Sequence, residues 1–456
     1  MLWTLIQKEI KNNLLSLRFV LATIGVLVIV LGSLYIRIDD YVQSVLDYRA
    51  NTDGAREALR QSWWWDVQWD GVFVERPVQP LSVLVTGVER NPDARARVFE
   101  KARPLIRPVG SIDRNPLTTL SCPVDIMFIT GIVMSLLVLV LSFDAISGER
   151  EQGTLKLLLS FPVPRSTVLF GKWLGGLITL SIPFILSALC AAIWILFSSK
   201  VKFSGEEWLA FLFIGIASLL YIAWMFSASL LVSCWFRSSA SSMCMLLFLW
   251  VLLVLIAPNI SPYLAANLVP IESAQSVQFK GLKIAKDMQE EEDKGLKAIE
   301  EKYHTPRWWR HPKGWLEGVD LVSSTYDRQR QATRAIVNGR EAKMQEQIAM
   351  AQAIGRLSPF ASYANIVTTL AWTGPDFGRH LLTATREYED RLGPIVTQGM
   401  KEGLPFGPER IPFFRYQAPP VSRRFMMALM DWILLATGTV VFFLGAYVSF
   451  VKREID

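Results

Sequence analysis

Charge is missing from long parts of this 456-residue sequence, and that absence says more than most of what is present. The runs Phe19 to Ile36, Ile126 to Phe143, Trp173 to Ser199, Trp208 to Phe236, Ser238 to Ile271 and Trp432 to Val451 contain no Asp, Glu, Lys or Arg. Each is long enough for a helix to cross a hydrocarbon layer of ~30 Å. In spans 2 to 5 the ionisable residues Asp125, Lys172, Glu206 and Glu207 fall only at the ends. Secondary transporters and proton pumps couple ion movement through Asp, Glu, Lys or His inside the membrane. That class is excluded, so whatever drives this protein acts from outside the bilayer.

Other absences narrow the field further. Cys122, Cys190, Cys234 and Cys244 lie in or at the edges of spans, so no disulfide framework braces the outer segments. His304, His311 and His380 lack the spacing of metal ligands. A phosphate loop needs G-x-x-x-x-G-K-[ST] so that backbone N–H groups can surround the phosphates. The nearest approach, Gly171-Lys172-Trp173, lacks the first glycine and the hydroxyl, so no nucleotide site is expected here. No Ser/His or metal constellation lies within the spans, which argues against an intramembrane hydrolase.

What is present fits a membrane protein with sizeable wet parts. Apolar residues make up 51% of the chain and the mean hydropathy is +0.30. The first run is no removable signal, because its apolar core exceeds the usual ~7–15 residues and Tyr35-Ile36-Arg37 offers no small-residue cleavage pattern. Orientation follows from the basic residues. Lys8, Lys11, Arg18, Arg150, Lys156, Arg165, Lys172, Arg237, Lys452 and Arg453 share one side, against Arg37, Lys200, Lys202, Arg423 and Arg424 on the other. The positive-inside rule therefore places both termini and the 144–166 segment in the cytoplasm. The net charge of +6 is spread without a strongly one-signed outer surface, so no nucleic-acid partner is expected.

These observations predict an all-α polytopic membrane protein with a mostly helical extracytoplasmic domain. The expected organisation is an interfacial helix at 1–17, spans at 18–37, 124–143, 167–197, 207–235, 239–262 and 428–451, a cytoplasmic segment at 144–166, and outer segments at 38–123 and 265–427. Residues 1–17 mix apolar and basic residues as an interfacial helix does, although a plain start of span 1 fits as well. Small residues at Gly171, Gly175 and Gly176, Ser227 to Ser229 and Ser238 to Ser242 read as packing seams, with a polar substrate lining as the alternative. Pro183 and Pro258 are expected to kink their helices, and Pro258 with Pro262 to end span 5.

The 144–166 segment is the polar stretch around which the rest is arranged. Asp144 or Ser147 can cap a helix start, Glu149 and Glu151 suit its first turn, and Gly153 breaks it. Leu155, Leu157, Leu158 and Leu159 then supply an apolar side until Pro162 and Pro164. The result is a short helix lying on the membrane face, or simply a polar loop. The run Ser147-Gly148-Glu149-Arg150-Glu151-Gln152-Gly153-Thr154-Leu155, followed by Pro162, Arg165 and Gly171-Lys172, resembles the signature of ABC-2 type transporter permeases. It lies close to the branch with the nitrous-oxide-reductase maturation and gliding-motility permeases.

That resemblance implies a coupling helix docked in a cleft of a separate ABC ATP-binding subunit, with Ser147, Gly148, Glu149, Arg150, Glu151, Gln152, Gly153 and Thr154 as the docking face. It also implies that ATP and Mg sit in the partner, that this chain binds no cofactor, and that a second permease completes the assembly as a homodimer or with a sister chain. The expected location is a bacterial cytoplasmic membrane, in contact with lipid.

The outer segments depart from the family pattern, in which only a short connection stands between spans 5 and 6. Ser273 to Tyr303 and Asp320 to Arg356 read as long helices and Pro375 to Glu402 as a third, while Tyr41 to Arg60 and Pro92 to Arg103 also read as helical, with short strands at Val72 to Val74 and Val83 to Val85. Ser358 to Trp372 is apolar but too short to span, which suits a re-entrant or surface helix. Gly403 to Pro420 reads as an extended tether. Two aromatic clusters stand out: Trp63, Trp64 and Trp65 near Trp69, and Trp308, Trp309 and Trp315 among arginines. The first suits either a grip on a lipid, glycan or hydrophobic peptide, or a small core or aromatic belt, and the second suits stacking on bases or sugars, a membrane interface or a domain tip that meets a partner. The function expected is therefore the permease of an ATP-driven exporter or extractor. The alternative is a mechanotransmitter that moves no substrate and acts on a periplasmic or envelope protein.

Overall fold

The computed structural model describes residues 2–87, 95–98, 124–160, 163–402 and 410–452. The protein is all-α and polytopic, with six helices among the described residues long and apolar enough to cross a membrane. Span 1 is Leu17–Gln61, span 3 Arg165–Phe197, span 4 Gly205–Trp235, span 5 Ser239–Leu268 and span 6 Leu429–Lys452. Span 2 starts at Ile126, runs to Ser142, and turns at 143–146 into the helix Ser147–Glu151.

Span 4 is the axis of the bundle. Spans 2, 3, 5 and 6 all pack on it, and so does a short outer helix, Pro359–Ala371. Its serines make this close packing affordable, because Ser218 and Ser227 donate to the carbonyls of Ile214 and Ala223 one turn back and so carry no unmet donor into the core. Span 2 is joined to it by Ser142 Oγ donating to Ser229 Oγ at 2.7 Å and Tyr221 donating to the carbonyl of Gly131 at 3.0 Å.

Span 5 corrects the expectation that Pro258 and Pro262 end it, for the helix continues to Leu268. A proline stops a helix mainly by freeing a carbonyl and crowding the preceding turn, and both problems are solved here by neighbours. Residues Val251–Ile256 are π-helical, a register in which Leu253 would bond to residue 258; the hydroxyl of Ser358 takes that carbonyl instead. Ser261 Oγ donates to the carbonyl of Pro258, the one that Pro262 frees, at 3.0 Å. A second π-helical stretch, Ile129–Met134, lies in span 2, and the helix Pro359–Ala371 touches both. Tyr363 of that short helix stacks on Tyr221 of span 4 with ring centroids 4.9 Å apart. This seats the helix, expected to be re-entrant or on the surface, among spans 2, 4 and 5 at the end of the bundle away from Ser147–Glu151.

Span 1 also exceeds its expected limit, continuing unbroken for 45 residues into the outer domain. That domain is built from both outer segments. Leu59, Trp64, Val67, Val72 and Val74 from the first share one core with Val319, Tyr326, Tyr388, Leu392, Val396 and Met400 from the second. The long helices are Ala274–Lys302, Pro312–Gly355 and Pro375–Glu402. Arg334 pairs with Glu389 and Asp390 across the last two.

The strands correct two readings. Val72–Glu75 (β1) pairs antiparallel with Arg95–Val98 (β2), so the described part of the stretch read as a helix from Pro92 to Arg103 is strand, and its other residues lie outside the described ones. Pro80–Val83 is a 3-10 turn, so the strand read at Val83 to Val85 is not there; a proline at the first position fixes a helical φ. The tether is described only from Arg410 on, and Cys122 and Pro162 lie outside the described residues.

Two arginines fasten the outer domain to the bundle. Arg356, at the end of Pro312–Gly355, forks onto Asp431 at the start of span 6 with bonds of 3.0 and 3.2 Å. Arg424 is buried, donates to the carbonyls of Pro419 and Leu370, and lies over the ring of Trp372. Because Asp431 is only 2% exposed, Asp431→Asn is expected to destabilise the protein by about 2 kcal/mol. A lowered midpoint of thermal unfolding in detergent micelles checks this. Gly318→Val places its Cβ 2.2 Å from the ring of Trp308, and is expected to loosen the outer domain while membrane insertion stays normal, read by faster proteolysis of residues 300–320.

Candidate functional site

The segment after span 2 forms two short helices, Ser147–Glu151 and Thr154–Ser160, broken at Gly153. Gly153 has φ 72, a left-handed conformation that glycine adopts without strain, and open space around it. The helix start differs from expectation. Neither Asp144 nor Ser147 caps it, since Ser147 Oγ donates to the carbonyl of Phe143 and Ile146 stands at the cap position. The free N–H groups find their acceptor across the bundle instead. Ser233 Oγ of span 4 accepts from the backbone N–H of Ile146 at 3.1 Å and of Ser147 at 3.0 Å.

Exposure rises along the eight residues of the motif, with Glu149 and Arg150 half-buried and every residue from Glu151 to Thr154 exposed. Ser147 and Gly148 are buried. Arg150 reaches the carbonyls of Cys234 and Phe236 at the end of span 4. Glu151 accepts from the N–H and hydroxyl of Ser239 at the start of span 5. Gln152, Gly153 and Thr154 are exposed, as are Lys156 and Leu157 beyond them. Leu155 is fully buried and anchors the second helix, while the side chains of Leu158 and Leu159 lie outside the described residues. One side of the segment is thus stitched to the ends of spans 4 and 5, and the other is free.

Glu149 leads to a group that a reading by sequence neighbours alone does not find. Its carboxylate meets Lys172 of span 3 at 2.7 Å, and the same ammonium meets Glu9 of the helix Leu2–Leu14 at 2.9 Å. Lys172 is only 6% exposed. A buried ammonium is tolerable only with such partners, and removing one strands the rest at a cost of about 3–5 kcal/mol. The sequence counts Lys172 among the surface cations of the membrane face; the signal that could have placed it inside is the pattern of glycines flanking it. A Cβ on Gly171 would stand 3.2 Å from that of Leu5, and one on Gly175 2.9 Å from that of Glu9. These glycines bring Leu2–Leu14 against span 3, which settles its start as a separate helix packed on the bundle. A cavity of about 190 Å3 lies beside the cluster, reaching from Arg18 and Asp144 to Thr179 and Phe226.

The two tryptophan clusters come together although far apart in sequence. Trp65 makes edge contacts with Trp308 and Trp315, and these two stack with centroids 5.9 Å apart. Trp64 is buried and fits over Gly399. Trp64 belongs to the core of the outer domain, Trp65 and Trp315 pack against that core, and Trp308 packs on these two in turn. Among the described rings of the two clusters, Trp63 and Trp309 present large exposed faces, 67% and 48%.

The comparisons with known proteins agree with the architecture. The family profile described as ABC-2 family transporter protein matches residues 3–455. The chain is 34% identical over 125 residues to the probable ABC transporter permease protein NosY of Stutzerimonas stutzeri, covering 27% of this chain and 45% of that protein. It is 47% identical over 62 residues to the protein of the same name from Pseudomonas aeruginosa, covering 13% and 22%. In each case the match spans less than half of the relative's length. A six-span bundle with its polar motif clamped at one end, matched by the profile over nearly its whole length, places this chain in the ABC-2 family of transporter proteins.

Proposed function

We propose that the chain is the membrane-spanning permease subunit of an ATP-driven transporter, and that it takes its motion from a separate ATP-binding subunit at the edge formed by Gln152, Gly153, Thr154, Lys156 and Leu157. The observation that carries this reading is the two-sidedness of the 147–160 segment. Its inner side is bonded to spans 3, 4 and 5 and its outer side is open. A surface built this way moves with the bundle when pushed. In this reading Ser147, Gly148, Glu149 and Arg150 fasten the lever and do not touch the partner, which refines the docking face implied by the family motif. ATP and Mg belong to the partner, and both termini face the same compartment as the lever, the cytoplasm of a bacterial cell. With six spans in one chain, a second permease copy or sister chain completes the assembly.

A second reading, in which the ATP cycle reshapes the outer domain to act on a periplasmic or envelope protein, is favoured by one observation. Span 1 passes without a break into the outer domain, and Arg356 and Arg424 fasten that domain to span 6 and the helix Pro359–Ala371. Cargo-stimulated ATP hydrolysis in vesicles favours transport; stimulation only by an outer partner protein favours transmission.

Leu157→Asp is expected to weaken copurification of the ATP-binding subunit at least about tenfold while leaving the permease folded, because Leu157 is 65% exposed. Unchanged association in this variant and in Gly153→Val rejects the proposed edge. Lys172→Met is expected to leave Glu9 and Glu149 without their shared cation and to uncouple ATP hydrolysis from function with the subunits still associated. Full coupling in that variant removes the clamp from the mechanism. The segment 265–427 is expected to be cleaved by protease added outside spheroplasts, and cleavage only from the cytoplasmic side inverts the orientation.

A further inference from the structure

The cavity beside Lys172 has the character of a binding site that the lever does not use. At ~30 Å3 per water its 190 Å3 hold about six waters, or the heavy atoms of one small headgroup. Its walls are sorted by depth. Glu9, Asn13, Arg18 and Asp144 stand at the end next to the lever, and Leu180 lies about 12 Å deeper than Lys172 along span 3. Phe226 and Leu230 of span 4 line the same space. A charged end beside an apolar wall suits the head of an amphiphile that reaches in from the membrane layer beside Leu2–Leu14 and leaves its chains outside.

Charge narrows the choice of head. Glu9, Asp144 and the Glu149 that shares Lys172 outnumber Arg18 and Lys172 by one, so a purely anionic occupant adds repulsion, whereas a head that brings an ammonium with its phosphate meets a partner for each sign. Arg18 and Asp144 stand 3.9 Å apart, beyond hydrogen-bond range, and both are substantially exposed. The pair can therefore open around a molecule that carries both signs. Lys172 bonds Oε1 of Glu9, which leaves the second oxygen for another donor. We propose that this cavity receives the headgroup of a zwitterionic aminophospholipid from the adjoining leaflet, its ammonium between Asp144 and Glu9 and its phosphate on Arg18 and Asn13.

A primary ammonium donates three hydrogen bonds and a trimethylated one donates none, so the proposal distinguishes two lipids of equal charge. The full-length chain, purified in detergent, is incubated with phosphatidylethanolamine, phosphatidylcholine or phosphatidylglycerol of identical acyl chains, and retained lipid is counted by native mass spectrometry. One phosphatidylethanolamine per chain is expected, preferred about tenfold over either of the others. Arg18→Gln and Asp144→Asn are expected to abolish that preference, and Arg18→Lys to keep it in part. Equal retention of all three lipids, meaning annular lipid only, overturns the proposal, as does a preference for phosphatidylglycerol. A preference unchanged in both Arg18→Gln and Asp144→Asn overturns it too. If either variant fails to fold, the wild-type lipid series decides alone. The outcome is independent of whether an ATP-binding subunit docks on the lever.

Discussion

A single ammonium holds the inner end of this protein together. Lys172 sits where water cannot reach it freely, and a cation in such a place is stable only while carboxylates stay within bonding distance. The two that do so come from different parts of the chain, Glu9 from the N-terminal helix and Glu149 from the segment after span 2. Three elements from separate parts of the sequence are thereby obliged to keep a common geometry. Coulomb attraction at this depth is screened far less than on the surface, so the constraint is stiff as well as specific.

The remainder of the bundle uses a different material for the same purpose. Hydroxyls of Ser142, Ser229, Ser233 and Tyr221 join spans 2 and 4 at intervals, and Ser358 and Ser261 take the carbonyls that the prolines of span 5 leave open. In hydrocarbon an unmet carbonyl has no water to turn to, which gives each of these small side chains a structural task. The π-helical turns in spans 2 and 5 lie where the helix Pro359–Ala371 packs, and Phe360 of that helix seats directly over Gly131.

Much of this architecture is written openly in the sequence. Charge-free runs fix the spans because burying one unpaired charge costs more than a helix gains from any other feature, and Pro375 marks where its helix starts. Other features are not legible for equally physical reasons. The continuity of span 1 past Ile38 is hidden because Arg37, Asp39 and Asp40 resemble a boundary, yet a helix carries charges readily once it leaves lipid. The survival of span 5 beyond Pro258 depends on Ser358, a hundred residues away, and local pattern holds no trace of such a partner. The joining of Trp65 with Trp308 and Trp315 is a matter of tertiary contact, as is the burial of Lys172. Within the motif, the residues Ser147 to Thr154 are conspicuous as a group, whereas their division into a hidden half and an open half appears only once Ser233 and Ser239 are seen opposite them.

The unbroken rod from Leu17 to Gln61 has a geometric corollary. About 23 of its residues stand beyond Ile38, an arm on the order of 35 Å at ~1.5 Å per residue, so a rocking of roughly 10° at the bilayer sweeps its far tip by about 6 Å. Small angular adjustments among packed spans are thus magnified at a distance, and the tryptophan core seated at that tip receives a stroke several times larger than the one made at the membrane.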